Sequence, residues 1–306
     1  MKNIAYVPHH AIDKGRWDDC IRRSFNGMIY AYSWYLDITC PGWDALITEN
    51  YVSVMPLTHG SKMGVAYLYP PFFIQQLGVF SVDKLSADEV ARFLENIPSK
   101  FRYWEINLNV FNKIAGDNYK LKPNLTHELD LIEDIAVIRK SYSDNHKRNL
   151  KKALGNNLII HKQFSHEEII ALFRSDRGSE VTVWNENHYD ILRRLLQAAE
   201  ARGCLHVRAV TDANGQLLAG AFFMDSNGKV IFLFSGNSAA GKTQGAMLFL
   251  LDAFIEENAQ RNLILDFEGS NNPDLARFYR GFGAKECVYL QARHNRLPWL
   301  LKWYKK

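Results

Sequence analysis

The sequence predicts an α/β (α+β) chain of two domains, each a mixed, mostly antiparallel sheet flanked by helices. Three observations predict it. The chain has 306 residues, and single cores rarely grow far beyond about 250. The second half runs through helical and extended patterns in the order helix, helix, three strands, helix, strand, helix, strand. The apolar segment NLILDF, 262–267, leads through a polar turn to a helix opening at Pro273, as a buried parallel strand feeding a helix does. The boundary is expected between 130 and 145, giving domains 1–138 and 139–306; no Gly/Ser linker marks it, so the two are expected to pack tightly.

The elements follow in order. Residues 3–7 read as a first strand. Residues 14–25 read as a helix, with Trp17, Cys20, Ile21 and Phe25 at helical spacing. Residues 28–37 fit a strand or a helix, and Pro41-Gly42 then turns the chain. Two hairpin-like strands follow, with turns at Asn50 and Gly60-Ser61. Ser86 and Glu89 form a capping box for a helix over 86–96. Residues 102–108 alternate as a strand, and 128–132 form another. In the second half, 143–154 is a basic helix and 158–161 a strand. Ser165 caps a helix reaching about Phe173, and 186–201 is a long helix. Three strands, 204–210, 217–225 and 229–236, are joined by turns at Asn214-Gly215 and Asn227-Gly228. A helix over about 243–257, the strand 262–267, a helix over 273–280 and a strand through CVYLQ complete the chain.

Composition narrows the function. Hydrophobic residues make up 47% and charged residues 23%, an ordinary globular balance. The net charge of +4 is mild; it fits a phosphate-bearing partner without demanding one. Positive charge gathers in HKRNLKKAL, 146–154, and in the terminal WLLKWYKK. The four cysteines, Cys20, Cys40, Cys204 and Cys287, lie far apart without CxxC spacing, which reads as free thiols in a reducing compartment. The histidines show no HExxH or paired ligand spacing, so no metal is expected. No apolar run approaches the ~20 residues of a membrane span, and the N-terminus lacks a signal core. A cytoplasmic protein without DNA as partner is the expectation.

The segment DFEGSNNPDLARFYRGFGA resembles the Fem-type aminoacyltransferases of the GNAT acyltransferase superfamily. Asp266, Phe267, Gly269, Ser270, Pro273, Phe278, Gly281, Phe282 and Gly283 follow the family's D-F-x-G-S…P-G-x-x-x-F-K-x-G-F-G segment. Asn272, Leu275, Phe278, Tyr279 and Gly283 are similar to the wider GNAT pattern N-x-x-A-x-x-L-Y-x-x-x-G-F, with Leu275 where alanine is usual and Ala284 where phenylalanine is usual. Arg148, Asn149, Leu150, Lys152 and Ala153 resemble the family's R-x-N-I-x-K-A segment. The resemblance implies two tandem GNAT-like domains, the first degenerate. It implies aminoacyl-tRNA or acyl-CoA as co-substrate, no tightly bound cofactor, tRNA as a partner, and a small-molecule or peptidoglycan-precursor acceptor. The long helical-hairpin insertion of some members is absent between 155 and 205.

The candidate residues fall into three groups. GNSAAGKTQGAMLF stands where GNAT enzymes hold a pyrophosphate on a helix start; this implies donor binding by Lys242, Thr243, Gln244, Gly245, Ala246 and Asn272, although Met247 replaces a small residue. Tyr279 matches the family's general acid, and a phenol near pKa 10 is a proton donor at neutral pH. Asp266 and Glu268 flank a strand end, on one face if the alternation continues, and either can accept a proton from an attacking amine. Ser270 and Asn272 also read as helix caps. In the basic helix, Arg148 and Lys152 share one face and Lys147 and Lys151 a neighbouring one; with Asn149 they suit RNA phosphates or a phosphorylated acceptor. Three functions stay open: aminoacyl transfer in envelope metabolism, acyl-CoA-dependent acylation of a small molecule or sugar, and polyanion binding without catalysis.

Overall fold

The computed structural model describes residues 3–114, 119–176 and 184–297; the basic terminal segment WLLKWYKK lies outside them. The chain divides into two compact units, one of residues 1–124 with 288–306 and one of 125–287. This division differs from the expected 138/139 boundary at both ends. Residues 125–138 count with the second unit because Leu129, Leu131 and Ile138 are buried in its core.

The first unit holds β1 (Ile4–Val7), α1 (Lys14–Arg23), α2 (Ser33–Thr39), β2 (Asp44–Thr48), β3 (Ser53–Leu57), β4 (His59–Lys62), β5 (Val65–Leu68), β6 (Phe80–Ser81), α3 (Ala87–Glu95) and β7 (Phe101–Asn107). The antiparallel set β1-β2-β3-β6 is one sheet. β4 pairs antiparallel with β5, and β5 runs parallel to β7 through α3. Trp17, Cys20 and Ile21 are buried on α1 as their spacing requires, whereas Phe25 falls beyond the helix end and is 41% exposed. The ambiguous segment 28–37 is helical. Asn50 turns the chain at φ +59°, but the second turn lies at Met63-Gly64, with Gly60 and Ser61 inside β4. The Ser86–Glu89 capping box is present.

β8 (Lys120–Asp130) carries the chain into the second unit, which holds α4 (Ile135–Lys140), α5 (Asp144–Leu154), β9 (Ile159–His161), α6 (His166–Ser175), α7 (Glu186–Glu200), β10 (Leu205–Thr211), β11 (Leu217–Ser226), β12 (Lys229–Asn237), α8 (Ala239–Gln244), α9 (Ala246–Asn258), β13 (Ile264–Asp266) and α10 (Pro273–Arg280). β14 (Lys285–Asn295) returns the chain to the first unit, where it pairs antiparallel with β7. β9 to β12 form an antiparallel run, β13 joins β12 in parallel, and the second half of β8 pairs antiparallel with β13. α9 is apolar nearly all round and is correspondingly buried nearly all round. Its Phe254 stacks on Phe223 of β11 at 3.8 Å between centroids, and each fully buried ring contributes about 1.5–3 kcal/mol.

The helix expected over 243–257 is two helices. Gly245 adopts φ +76°, a left-handed conformation that ends α8 and opens α9. The four cysteines are free thiols. Among the described residues no helix is long and apolar enough to cross a membrane, and no three His, Cys, Asp or Glu side chains gather in an arrangement that would hold a metal.

Candidate active site

The site begins where two parallel strands part. β12 and β13 pair only through Lys229↔Ile264, Val230↔Leu265 and Ile231↔Asp266, although β12 runs on to Asn237. β13 stops because its last residue folds the chain back on itself. Asp266 Oδ1 accepts the Glu268 amide at 3.1 Å and the Thr126 hydroxyl at 2.5 Å. Glu268 itself takes φ +53°. The alternation that would have set Asp266 and Glu268 on one face therefore ends at Asp266. A bulge in β12, where Phe222 faces Phe234 and Phe223 faces Phe232, turns the strand further from its register.

Beyond the parting lies a cavity of about 930 Å³, at the upper end of the range for small-ligand sites. Ser235, Gly236 and Asn237 from the free end of β12 form part of its wall, and Met247, Leu248, Leu275 and Phe278 give it an apolar surface. Its polar rim comes from Asn145, Asn149, Lys151 and Lys152 of α5, Asp176 at the end of α6, and Lys242, Thr243, Gln244 and Gly245. The start of α9 has no side-chain cap, which leaves first-turn amide donors for an anion.

The sequence-derived groups are thus partly brought together. Lys242, Thr243, Gln244 and Gly245 meet Asn149, Lys151 and Lys152 around one cavity. Ala246 is fully buried behind it. Lys147 donates to the Lys140 carbonyl and Arg148 to Asn145 Oδ1, and neither lines the cavity. Asn272 caps α10, accepting the Asp274 and Leu275 amides at 2.9 and 3.2 Å. Lys242 lies against Asp176, with its Nζ 2.6 and 2.8 Å from the two carboxylate oxygens.

The three candidate catalytic residues surround the end of β13 and are not among the residues lining the cavity. Tyr279 is buried, with its ring stacked on Phe267 at 4.8 Å. Asp266 is 1% exposed and 3.5 Å from the buried Lys229 ammonium, which also pairs with Glu128. Burial alone pulls Lys229 down, but Asp266 and Glu128 outweigh it and leave its pKa raised. Glu268 Oε1 is buried without a hydrogen-bond partner among the described residues, and burial pushes its carboxyl well above the usual carboxylate range.

No sequence signal pointed to His146, Asn145, Asn156, Asp176 or Ser235, whereas Gly236 and Asn237 open the segment GNSAAGKTQGAMLF. His146 lines the cavity wall from α5, packed against Phe278 and Phe282 at 5.2 and 4.7 Å. Burial lowers its pKa, opposed by a hydrogen bond with the Phe278 backbone, and its Nε2 has no partner among the described residues. Gly281 is glycine for this ring: a Cβ there would lie 2.1 Å from His146 Cε1. The Gly281 match was visible in the sequence; its neighbour 135 positions earlier was not.

The acetyltransferase (GNAT) domain family matches residues 166–274, a span that includes α6 and runs through β13 into the start of α10. No curated protein matches the chain at a significant level. Among solved structures, FemX aligns at 11% identity over 91% of this chain and 96% of its own, with a TM-score of 0.65. A conserved protein of unknown function from Bacteroides thetaiotaomicron aligns at 9% identity over 96% and 99%, with a TM-score of 0.64. The C-terminal domain of a putative lysylphosphatidylglycerol synthetase from Agrobacterium fabrum aligns at 11% identity over 94% and 92%, with a TM-score of 0.55. At these identities the likeness is one of fold alone, and over residues 166–274 that fold is GNAT-like.

Proposed function

We propose that the protein transfers an activated acyl group from an anionic donor, seated in the cavity of the second unit, to an acceptor amine. The observation that carries the reading is the parting of β12 from β13 over a cavity that joins the Lys242–Gly245 turn to the basic residues of α5. Lysines 151, 152 and 242 and the amides opening α9 suit phosphate oxygens. The end of β12, paired there with β11, offers the backbone groups of its β13 side to the acyl carrier. Holding carbonyl and amine in line supplies most of what direct transfer needs.

In this reading the proton chemistry belongs to the end of β13. Tyr279 is the proton donor to the leaving group. Glu268, expected as a proton acceptor, is favoured by its burial as a neutral acid, so it joins Tyr279 as a donor. Asp266, held by Thr126, orients the turn. The acceptor is a small molecule or a peptidoglycan precursor, the setting is cytoplasmic, and the first unit is a degenerate GNAT-like domain in tandem with the second.

Two donors fit the anionic requirement. Acyl-CoA is favoured by the bounded cavity and its apolar surface. Aminoacyl-tRNA is favoured by the basic face of α5, where Lys147, Arg148 and Lys151 remain exposed. Binding of acetyl-CoA and of charged tRNA by the purified protein at physiological salt separates them. Saturable CoA binding that is lost in Lys242→Gln supports the first and sinks the second. Binding of charged tRNA that weakens in Lys152→Gln, without CoA binding, does the reverse. Failure of both probes removes the proposal.

A further inference from the structure

The cavity of the second unit is cationic with one exception. Lys151, Lys152 and Lys242 line it, and among its described lining residues Asp176 alone carries a carboxylate. That carboxylate is placed on a lysine, with Lys242 Nζ at 2.6 and 2.8 Å from its two oxygens. Asp176 also closes the C-terminus of α6, its amide bonded to the Phe173 carbonyl. An acid is disfavoured at that end of a helix, where the peptide dipoles already leave partial negative charge. Asp176 therefore gains from a cation beside it, and Lys242 supplies that cation from a helix 66 positions further on.

We propose that Asp176 is a specificity-determining residue: an internal anion that occupies the Lys242 seat, so that only a donor group of two or more negative charges, a pyrophosphate or a phosphomonoester, displaces it effectively. This deepens the acyl-transfer reading above and rests on it. The physical case is a competition. The Lys242 side chain is 55% exposed and that of Asp176 30%, and pairs so wetted by solvent are worth about fivefold or less in an equilibrium. A ligand can therefore break the pair cheaply. A single negative charge offers Lys242 only what Asp176 already gives, and it must sit beside the displaced carboxylate. A polyphosphate offers at least twice the attraction, and Lys151 and Lys152 on the same cavity wall receive the remainder. Asp176 thus acts as a charge filter on the donor.

The test measures dissociation constants of the full chain for CoA, inorganic pyrophosphate and acetate. It compares wild type, Asp176→Asn, Lys242→Gln and the double variant, with thermal unfolding as the check on folding and Asp176→Ser as the second variant. The expected result is CoA and pyrophosphate bound about two- to fivefold more tightly by Asp176→Asn, no such gain in the Lys242→Gln background, and a smaller preference for pyrophosphate over acetate. CoA binding that is unchanged or weaker in both Asp176 variants overturns the filter and leaves the acyl-CoA reading standing. Pyrophosphate bound more tightly by the variants, with CoA bound by none, supports the filter and removes CoA as donor. If wild type and variants bind neither CoA nor pyrophosphate, the filter and the CoA reading fall together.

Discussion

The two units contain the same supersecondary step and finish it in opposite ways. In the first unit β5 runs parallel to β7 through α3; in the second, β12 runs parallel to β13 through α8 and α9. After β5 the chain returns to cover the strand end. Leu77 donates to the Asn107 carbonyl at 2.8 Å and pairs in parallel with Leu108. The side chains of Gln76 and Asn109, both fully buried, hold the Val110 and Phe111 amides at 3.0 and 3.1 Å. After Ile231, by contrast, β12 has no partner on the β13 side among the described residues, and buried polar atoms of Asn237 and His146, which line the cavity, make no hydrogen bond among them. Each such atom costs about 1–3 kcal/mol. One strand end has been stitched shut for stability, while the other keeps its polar groups unspent around a cavity. That contrast directs the functional reading to the second unit.

The largest expected effect comes from cutting the stitch. Asn109 also donates to the Leu77 carbonyl at 2.9 Å, so Asn109→Ala strands donors and acceptors together. A loss of about 3 kcal/mol in urea unfolding is expected, and a loss near zero would mean the covering segment contributes nothing. At the open end, Gly241→Ala drives a Cβ to 2.3 Å from the Leu218 carbonyl oxygen, a backbone atom that cannot swing aside. About 2 kcal/mol of destabilisation is expected from the overpacking.

Two pH experiments sharpen the comparison. Glu268 has a raised pKa through burial, so the native state keeps a proton that the unfolded chain releases. The stability this lends is full below the unfolded value near 4.3 and is lost as pH rises through the native value. Glu268→Gln should therefore be more stable than wild type at pH 8, with the gap closing towards pH 4 in thermal melts. His146 is lowered through burial, and the sign reverses. Wild type should lose stability as pH falls below about 6.5, because the unfolded imidazole takes up a proton that the native one refuses. His146→Gln should show a shallower decline, and an unchanged slope would assign the effect to the other histidines that burial lowers, His127, His188 and His294. The smallest expected effect is at the rim. Lys152→Gln should alter stability by no more than about 0.5 kcal/mol while weakening binding of an anionic donor several-fold.

How much of this was legible beforehand differs by residue. The Ser86–Glu89 cap, the Asn227-Gly228 turn and the Pro273 helix start are local chemistry, and the sequence announces them. Lys242 to Gly245 and Asn149, Lys151 and Lys152 were separate signals whose meeting at one cavity needed the fold. Asn272 was legible both as a ligand group and as a cap, and the structure places its side chain on the Asp274 and Leu275 amides. Asp176 carried no signal at all, since a single acid after a helix resembles any other.

The sequence by itself determined most of the element order, the mixed sheets with flanking helices and the turns at Asn50, Asn214-Gly215 and Asn227-Gly228, because periodicity, caps and left-handed residues act within a few residues of one another. Tertiary structure alone decided which strand end closes and which opens, that Asp266 is held by Thr126 and stands 3.5 Å from Lys229, and that Asp176 occupies Lys242. Those outcomes depend on contacts between residues 30 to 140 positions apart. They are set by the pairing of strands and the burial of charge, which no local pattern encodes.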